Sequence, residues 1–353
     1  MSMTPTLFIK ILDGRLVLWD YQNHKQFLIR PEHASRLLEL VAGFERRDDA
    51  IDKEITEADL LSNIDPQEWG WDCLSRIFHV GTQVPRKEHA PEPRPYLEYI
   101  RHCASVADRI PENEILRPGP ITPLPPPQAI VGRDFDRTLR GRKTCRSFLN
   151  RSIPFQDVAN TLWATFGAVH GGSRTDLEQF GMRPVGYRRT SPSGGSMQPS
   201  EPYLLAFNVG GLAPGIYHYR SLRHELSYIA AAPDMNMLCD ILCGQTAAND
   251  LAYGVFVTSR FDKLWWKYPH SRAYRVALMD VGCLVQTFQL VSTALGIQTW
   301  PTGYFIDADA NALLAVDGIK ESVLFFLGAG YGDGPVARDA LAAMRYLSEE
   351  NNR

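Results

Sequence analysis

Three short stretches of this 353-residue chain carry side chains able to do chemistry. The first is Arg142-Lys143-Thr144-Cys145-Arg146-Ser147-Phe148, where Arg142 and Arg146 stand four apart around the Thr144 hydroxyl. On a helix that spacing puts both guanidinium groups on one face. Guanidinium groups bind phosphate oxygens bidentately and a hydroxyl adds a neutral donor, so the cluster suits a phosphate; a solvated basic helix face is the ordinary alternative. The second is Arg189-Thr190-Ser191-Pro192-Ser193-Gly194-Gly195-Ser196, a glycine-containing loop ahead of a strand over 202–209. Glycine lets the backbone approach a flat ring or an anion, and successive amides can donate to it; a plain loop is the alternative. The third is Lys267-Tyr268, a lysine beside a phenol. Such a lysine serves as a base only if burial or a neighbouring charge lowers its pKa from about 10.4. Otherwise the pair reads as a lysine with its head in water and an interface tyrosine.

The elements that must hold these residues follow from periodicity. TLFIKILDGRLVLWDY reads as two strands around Asp13-Gly14, and a helical stretch starts at Pro31, with Leu37, Leu38 and Val41 recurring. Helical texture returns between Ile51 and Val84. Residues 1–110 therefore form an N-terminal module, α/β or winged-helix-like, and a candidate for peptide binding; a plain structural extension is the alternative. The prolines of PENEILRPGPITPLPPPQ, residues 111–128, fix φ and remove donors, which marks a linker. Residues 129–353 form the main domain.

Within that domain LRGRKTCRSF reads as helical, and Val158, Leu162, Trp163 and Phe166 lie on one face of a helix that ends near Gly171-Gly172. PYLLAFNV, GIYHYR and ELSYIA read as a strand meander, and Ala252 to Phe261 as a further strand. A long helix from Arg272 to Leu295 carries the stripe Tyr274, Leu278, Val281, Leu284, Val285 and Phe288. SVLFFLGAG reads as a buried strand, and Val336 to Ser348 as the last helix. Strands and helices without regular alternation imply an α+β fold.

The order of the motifs carries a resemblance. The Arg142 to Phe148 stretch, then Pro192-Ser193-Gly194-Gly195 before a strand, then PGIYHY, resembles the SagB/McbC-type dehydrogenases of the nitroreductase superfamily. Trp266-Lys267-Tyr268, Arg272-Ala273-Tyr274-Arg275 and Asp280-Val281-Gly282 are similar to that branch's lysine-tyrosine motif and adjoining helix. Gly296 to Gly303 and Val323 to Gly332 are similar to its closing segments, so the likeness runs over about residues 135–335. The resemblance implies a nitroreductase-like fold, an antiparallel-rich central sheet flanked by helices, in a homodimer with FMN at the subunit interface. It implies that Arg142, Thr144 and Arg146 hold the phosphate, that Ser193, Gly194 and Gly195 lie against the isoalloxazine ring, that Lys143, Pro192 and Gly330 also bind the cofactor, and that Lys267 and Tyr268 are catalytic. Gln198 stands where tyrosine or histidine is frequent in that branch. The implied reaction oxidises a thiazoline or oxazoline, in a precursor peptide or a carrier-bound chain, to thiazole or oxazole, with a cyclodehydratase as partner.

Bulk properties narrow the alternatives. With 44% hydrophobic and 22% charged residues and a net charge of -3, the chain has an ordinary globular composition and no basic field for nucleic acid or an anionic membrane. The first residues lack a signal-peptide pattern, and six scattered cysteines suggest a reducing cytoplasm. Neither the cysteines nor His170, His218, His224 and His270 show metal-ligand spacing, so no metal is expected; the histidines read as solvated or hydrogen-bonded structural groups. Cys239 and Cys243 read as core packing on a helix, and Trp265, Trp266 and Trp300 as core or pocket lining. Gly328-Ala329-Gly330-Tyr331-Gly332 lacks the full dinucleotide pattern, so no nicotinamide site is assigned. An NAD(P)H-dependent nitro- or quinone-type reductase and a flavin-free peptide-binding scaffold are the competing readings.

Overall fold

The computed structural model describes residues 6–61, 69–81, 83, 133–170, 187–268 and 271–351. The proline-rich stretch 111–128 and His270 lie outside them.

The N-terminal part opens with β1 (Leu7–Leu12) and β2 (Arg15–Asp20). Asp13 and Gly14 join them with φ of 49° and 73°, the two positive values that a tight hairpin turn requires. A third strand, β3 (Lys25–Ile29), completes an antiparallel sheet. The sequence reading missed it, because its side chains are only half-buried or exposed and leave little alternation to read. Helix α1 (Pro31–Val41) begins on proline, whose missing N–H is no loss at that position, and α2 (Ala50–Glu57) is capped by the Asp49 carboxylate. Leu18, Leu37, Leu40, Ile55 and Leu60 form their shared core. Beside it the Arg36 guanidinium grips Asp52 with two bonds of 2.6 and 2.7 Å. Helix α3 (Cys73–Gly81) follows.

In the larger part, α4 (Arg133–Gly141), β4 (Ser147–Phe148), β5 (Ile153–Pro154) and α5 (Phe155–Phe166) precede the meander. The meander comprises β6 (Ser200–Ala206), β7 (Val209–Gly210), β8 (Gly215–Arg220) and β9 (Glu225–Ala230). Then come α6 (Met235–Ile241), β10 (Tyr253–Arg260), α7 (Phe261–Lys267) and the long α8 (Arg272–Ala294). The chain closes with β11 (Gln298–Thr302), α9 (Asp307–Leu313), β12 (Glu321–Gly330), β13 (Gly332–Gly334) and α10 (Arg338–Asn351).

Six strands form one antiparallel sheet in the order β11-β12-β10-β6-β8-β9. Side chains alternate across it, as the two-residue period of a strand demands. Val255 and Val257 face α5 and α8, where Val158, Leu162, Phe166, Val281, Leu284, Val285 and Phe288 fill the core. Phe256, Leu205 and Phe326 face the other way, onto Leu238, Ile241 and Leu314. The expected α+β architecture, an antiparallel sheet between helical layers, is what the chain forms. Helix α8 is long and apolar enough to cross a membrane by length and composition, but here it is the inner helix of this core.

Several local expectations need correction. Residues 142–148 are extended, not helical: α4 stops at Gly141, Thr144 bridges Thr299, the Cys145 amide donates to the Thr299 carbonyl at 2.9 Å, and β4 pairs with β13. Sheet edges distant in sequence supply the hydrogen bonds that a helix would have made internally. Helix α5 ends at Phe166, because the backbone of Gly167 turns extended. Trp163 and Leu278, which belong to the apolar helix stripes, are 37% and 40% exposed. Cys243 lies past the end of α6 with φ of 54°, so it shares no helix with Cys239.

Candidate active site

The glycine loop is built against α8. The Ser191 hydroxyl meets Thr287 Oγ1 at 2.6 Å, the Ser193 hydroxyl donates to Asp280 Oδ2 at 2.6 Å, and the Gly194 amide points at the same carboxylate at 3.2 Å. Asp280 is 6% exposed on an apolar helix. Burial pushes its carboxyl above the ordinary value, and the Ser193 and Gly194 donors work against that shift. The base of the loop is held by Arg189, whose buried guanidinium donates to the Phe166 and Ser200 carbonyls and to the Tyr187 and Ser221 hydroxyls. Burial lowers the Arg189 pKa. In one short run Gly195, Ser196 and Gln198 adopt φ of 59°, 57° and 45°, a left-handed backbone that only glycine enters freely. The buried Gln198 amide N–H donates to Ser193 Oγ, and its carbonyl accepts from Lys263, so this residue works inside the loop.

Onto that loop comes the end of α7. Lys267 Nζ donates to the Gly195 carbonyl at 3.1 Å. A Cβ at Gly195 would overlap the Tyr268 hydroxyl and lie 2.8 Å from Lys267 Nζ, so glycine there is a steric condition of the contact. Gly194 is held to the same condition from behind, where a Cβ would stand 2.5 Å from Val276 Cγ1. The ammonium of Lys267 also sits 5.6 Å from the Tyr268 ring centroid. Lys267 is exposed in the single chain and Tyr268 is half-buried.

The structure thus brings Ser193, Gly194 and Gly195 together with Lys267 and Tyr268, while Pro192 is exposed at the loop's start. A second group forms elsewhere. Arg142 is half-buried and donates to Gln289 Oε1 at 3.2 Å, Thr144 is half-buried at its bridge to Thr299, and Lys143 is exposed. Arg146 is also exposed and donates to the Pro335 carbonyl at 3.1 Å. Gly330 belongs to this second group: it pairs with Gln298 next to Thr299, and a Cβ there would come within 2.9 Å of Phe148. Asp280 and Gln289, the anchors of the two groups, are nine residues apart on α8. That is about two and a half turns, so the groups lie on opposite sides of the helix and about 14 Å apart along it.

Sequence reading did not find the locking roles of Asp280 and Arg189. An acid inside an apolar helix stripe is the signal that could have exposed the first. Of the histidines, His218 meets Glu201 at 3.1 Å and His224 meets the Tyr219 hydroxyl at 2.7 Å, both structural bonds. Trp300 is core, and Trp265 joins an aromatic cluster with Trp69 and Trp71. A separate cleft of about 640 Å3 is lined only by N-terminal residues, among them Arg15, Leu28, Arg30, His33 and Glu54.

Comparison with known proteins bears on the family and the fold. MJ1384 of Methanocaldococcus jannaschii, named as a nitroreductase-type protein, is 24% identical over 189 residues, 54% of this chain and 86% of that protein. The microcin B17-processing protein McbC of Escherichia coli is 30% identical over 120 residues, 33% of this chain; the match spans 44% of McbC, less than half its length. The structure of the E. coli microcin synthetase McbBCD complex with truncated pro-MccB17 bound includes a chain of the same fold, with a TM-score of 0.53 at 19% identity, covering 74% of this chain and 92% of that one. The nitroreductase family model matches residues 139–331, more than half of the 353-residue chain and a span that includes every residue of both groups. With its antiparallel sheet, its central helix and that match, the chain belongs to the nitroreductase family.

Proposed function

We propose that the protein is an FMN-dependent dehydrogenase that oxidises a thiazoline or oxazoline in a peptide-derived substrate to the aromatic heterocycle. The observation that carries this reading is the seating of Lys267 and Tyr268 on Gly195, which puts an amine and a phenol beside a backbone bare of side chain. The likeness to McbC supports a peptide substrate, with a precursor peptide or carrier-bound chain and a cyclodehydratase as partners.

The residues present fit a flavin mononucleotide. Among the described residues neither Arg142 nor Arg146 forms an ion pair with a carboxylate, so both keep guanidinium donors for a phosphate, with Thr144 between them. The Ser193–Gly195 backbone, locked by Asp280, is half-buried at Ser193 and Gly194 and exposed at Gly195, and would lie at the flat ring. Flavin, when bound, supplies the hydride acceptor that no side chain can replace. Lys267 as its neutral amine, or Tyr268 as its phenolate, would accept the proton removed from the substrate, and the Gly195 carbonyl orients the lysine nitrogen. Arg142 and Ser193 are anchored on opposite sides of α8, about 14 Å apart along it, and contributions from two copies would bring both kinds of residue to one flavin, as in a homodimer. A second copy or the bound peptide would also supply the burial that Lys267 lacks in one chain.

The match over 86% of MJ1384 favours a second reading, a reductase fed by NAD(P)H. An absorption spectrum with mass spectrometry of the released chromophore tests the cofactor. Anaerobic mixing with a thiazoline peptide or with NADPH then separates the two readings. Bleaching of the flavin by the peptide supports the dehydrogenase; bleaching by NADPH alone supports the reductase, and protein that cannot be loaded with FMN overturns both.

A further inference from the structure

Residues 69–81 touch Tyr21, at the end of β2, through Arg76 and Gly81, but their aromatic side chains pack onto the larger part of the chain. Trp71 lies 8% exposed in a cluster with Met197, Phe261, Leu264, Ala273 and Tyr274, all from the larger part of the chain. Its ring meets Trp265 edge-on at 5.6 Å and Tyr274 edge-on at 6.0 Å. Gly70 makes this possible, since a Cβ there would fall inside the Trp265 ring. Farther along α3, the buried His79 accepts from the Tyr274 hydroxyl at 2.8 Å and donates to the Gly318 carbonyl at 2.9 Å. The segment is thus pinned at both ends to α7, α8 and the loop before β12.

One bond in this contact reaches the site itself. The indole Nε1–H of Trp71 donates to the Tyr268 carbonyl at 2.9 Å, across 197 residues of sequence. Tyr268 caps the C-terminus of α7, where carbonyls run out of partners within the helix. The residue is therefore held from two directions, its carbonyl by Trp71 and its phenol against Gly195. Lys267, immediately before it, has its ammonium on the Gly195 carbonyl. A helix end with a free carbonyl and an exposed lysine would fray; this one is tied down by a donor from the N-terminal segment.

We infer that Trp71 is a positioning residue: its indole N–H fixes the end of α7 so that Lys267 and Tyr268 stay seated on Gly195, which makes the N-terminal segment part of the active-site shell. The inference rests on the reading of Lys267 and Tyr268 as the reacting pair, but the geometry it asserts can be measured without flavin or peptide.

The test is competitive acetylation of the full-length protein with trace acetic anhydride, with the labelling rate of each lysine read by peptide mass spectrometry. Trp71→Phe removes the donor and keeps the aromatic packing. Gly70→Ala displaces Trp265 and Trp71 without deleting a side chain, and serves if the first variant does not fold. Trp69→Phe is the control, because the Trp69 indole donates to Ser75 within the segment, at 3.0 Å. Lys267 is expected to label about two- to tenfold faster in Trp71→Phe and Gly70→Ala, the range set by the net loss of one hydrogen bond. The exposed Lys25 and Lys320 should stay unchanged, and Trp69→Phe should behave as wild type. Wild-type labelling of Lys267 in the folded variants, or an equal rise in Trp69→Phe, overturns the inference. A purely structural role for Trp71 would lower the melting temperature and leave Lys267 where it was. A colourless protein that shows the Lys267 shift keeps the bond and removes the redox reading; a yellow, peptide-oxidising protein without the shift does the reverse.

Discussion

The Ser193 hydroxyl and the Asp280 carboxylate, 87 residues apart, meet at 2.6 Å, and this bond joins the glycine loop to the central helix. Because Asp280 also receives the Gly194 amide, one buried carboxylate sets the backbone of the loop.

Removing that carboxylate leaves two donors without their acceptor. Asp280→Ala is expected to cost about 2–3 kcal/mol of stability and to weaken FMN retention by an order of magnitude. Asp280→Asn, which keeps one acceptor oxygen, should lose less. Thermal unfolding and flavin fluorescence titration measure both. Equal FMN affinity in Asp280→Ala and wild type would show that the loop does not need the lock.

Gly195→Ala adds a methyl where φ is 59° and where the Tyr268 hydroxyl already stands. The left-handed backbone alone costs a non-glycine residue about 1–2 kcal/mol, and Tyr268 must move as well. Peptide oxidation should fall at least tenfold. A variant with wild-type turnover would take Gly195 out of the site.

Lys267→Ala should abolish peptide oxidation while flavin stays bound, since Lys267 reaches the loop only through the Gly195 carbonyl. Unchanged turnover would leave Tyr268 as the remaining candidate for the proton transfer.

The opposed faces of α8 predict complementation between two damaged copies. Arg142→Ala homodimers should lose FMN, and Gly195→Val homodimers should lose turnover. In a mixed dimer one of the two sites takes Arg142 from one subunit and Gly195 from the other, both intact. Subunit mixing should therefore restore activity toward about one quarter of wild type, the share expected from random pairing of closed two-fold dimers. If all the flavin contacts came from one chain, mixing would restore nothing.

The contact of α3 with the larger part of the chain should carry a pH signature. Burial pushes the His79 pKa down to about 4 from the ordinary 6.5, so the folded chain keeps this ring neutral. Between those values the unfolded chain binds a proton that the folded chain refuses. The associated stability is complete above pH 6.5 and is lost as the pH falls toward 4, on the order of 3 kcal/mol in all. His79→Gln should flatten the melting-temperature profile across that window, and an unchanged slope would assign the acid sensitivity to other groups.

Much of this was legible from local order. The hairpin at Asp13-Gly14, the strands 200–206 and 253–260 and the helix Arg272–Ala294 follow from periods of 2 and 3.6 in side-chain polarity, which neighbouring residues alone establish. The ordered motifs carried the family resemblance, because each is a contiguous run. Local order failed for Arg142–Arg146. Spacings of two and four put Arg142, Thr144 and Arg146 on one side of an extended strand, and the arginine pair on one face of a helix, so the cluster reads alike in both. Only hydrogen bonds to Thr299 and Gly334, more than 150 residues later, selected the extended form.

By itself, then, the sequence determined which residues could do chemistry and which elements carry them, since composition, spacing and periodicity are properties of neighbours. The tertiary structure decided which of them meet. Ser193 finds Asp280, Gly195 receives Lys267 and Tyr268, and Trp71 holds the Tyr268 carbonyl, because packing satisfies buried donors and acceptors with whatever the fold brings near, at separations that no local pattern records.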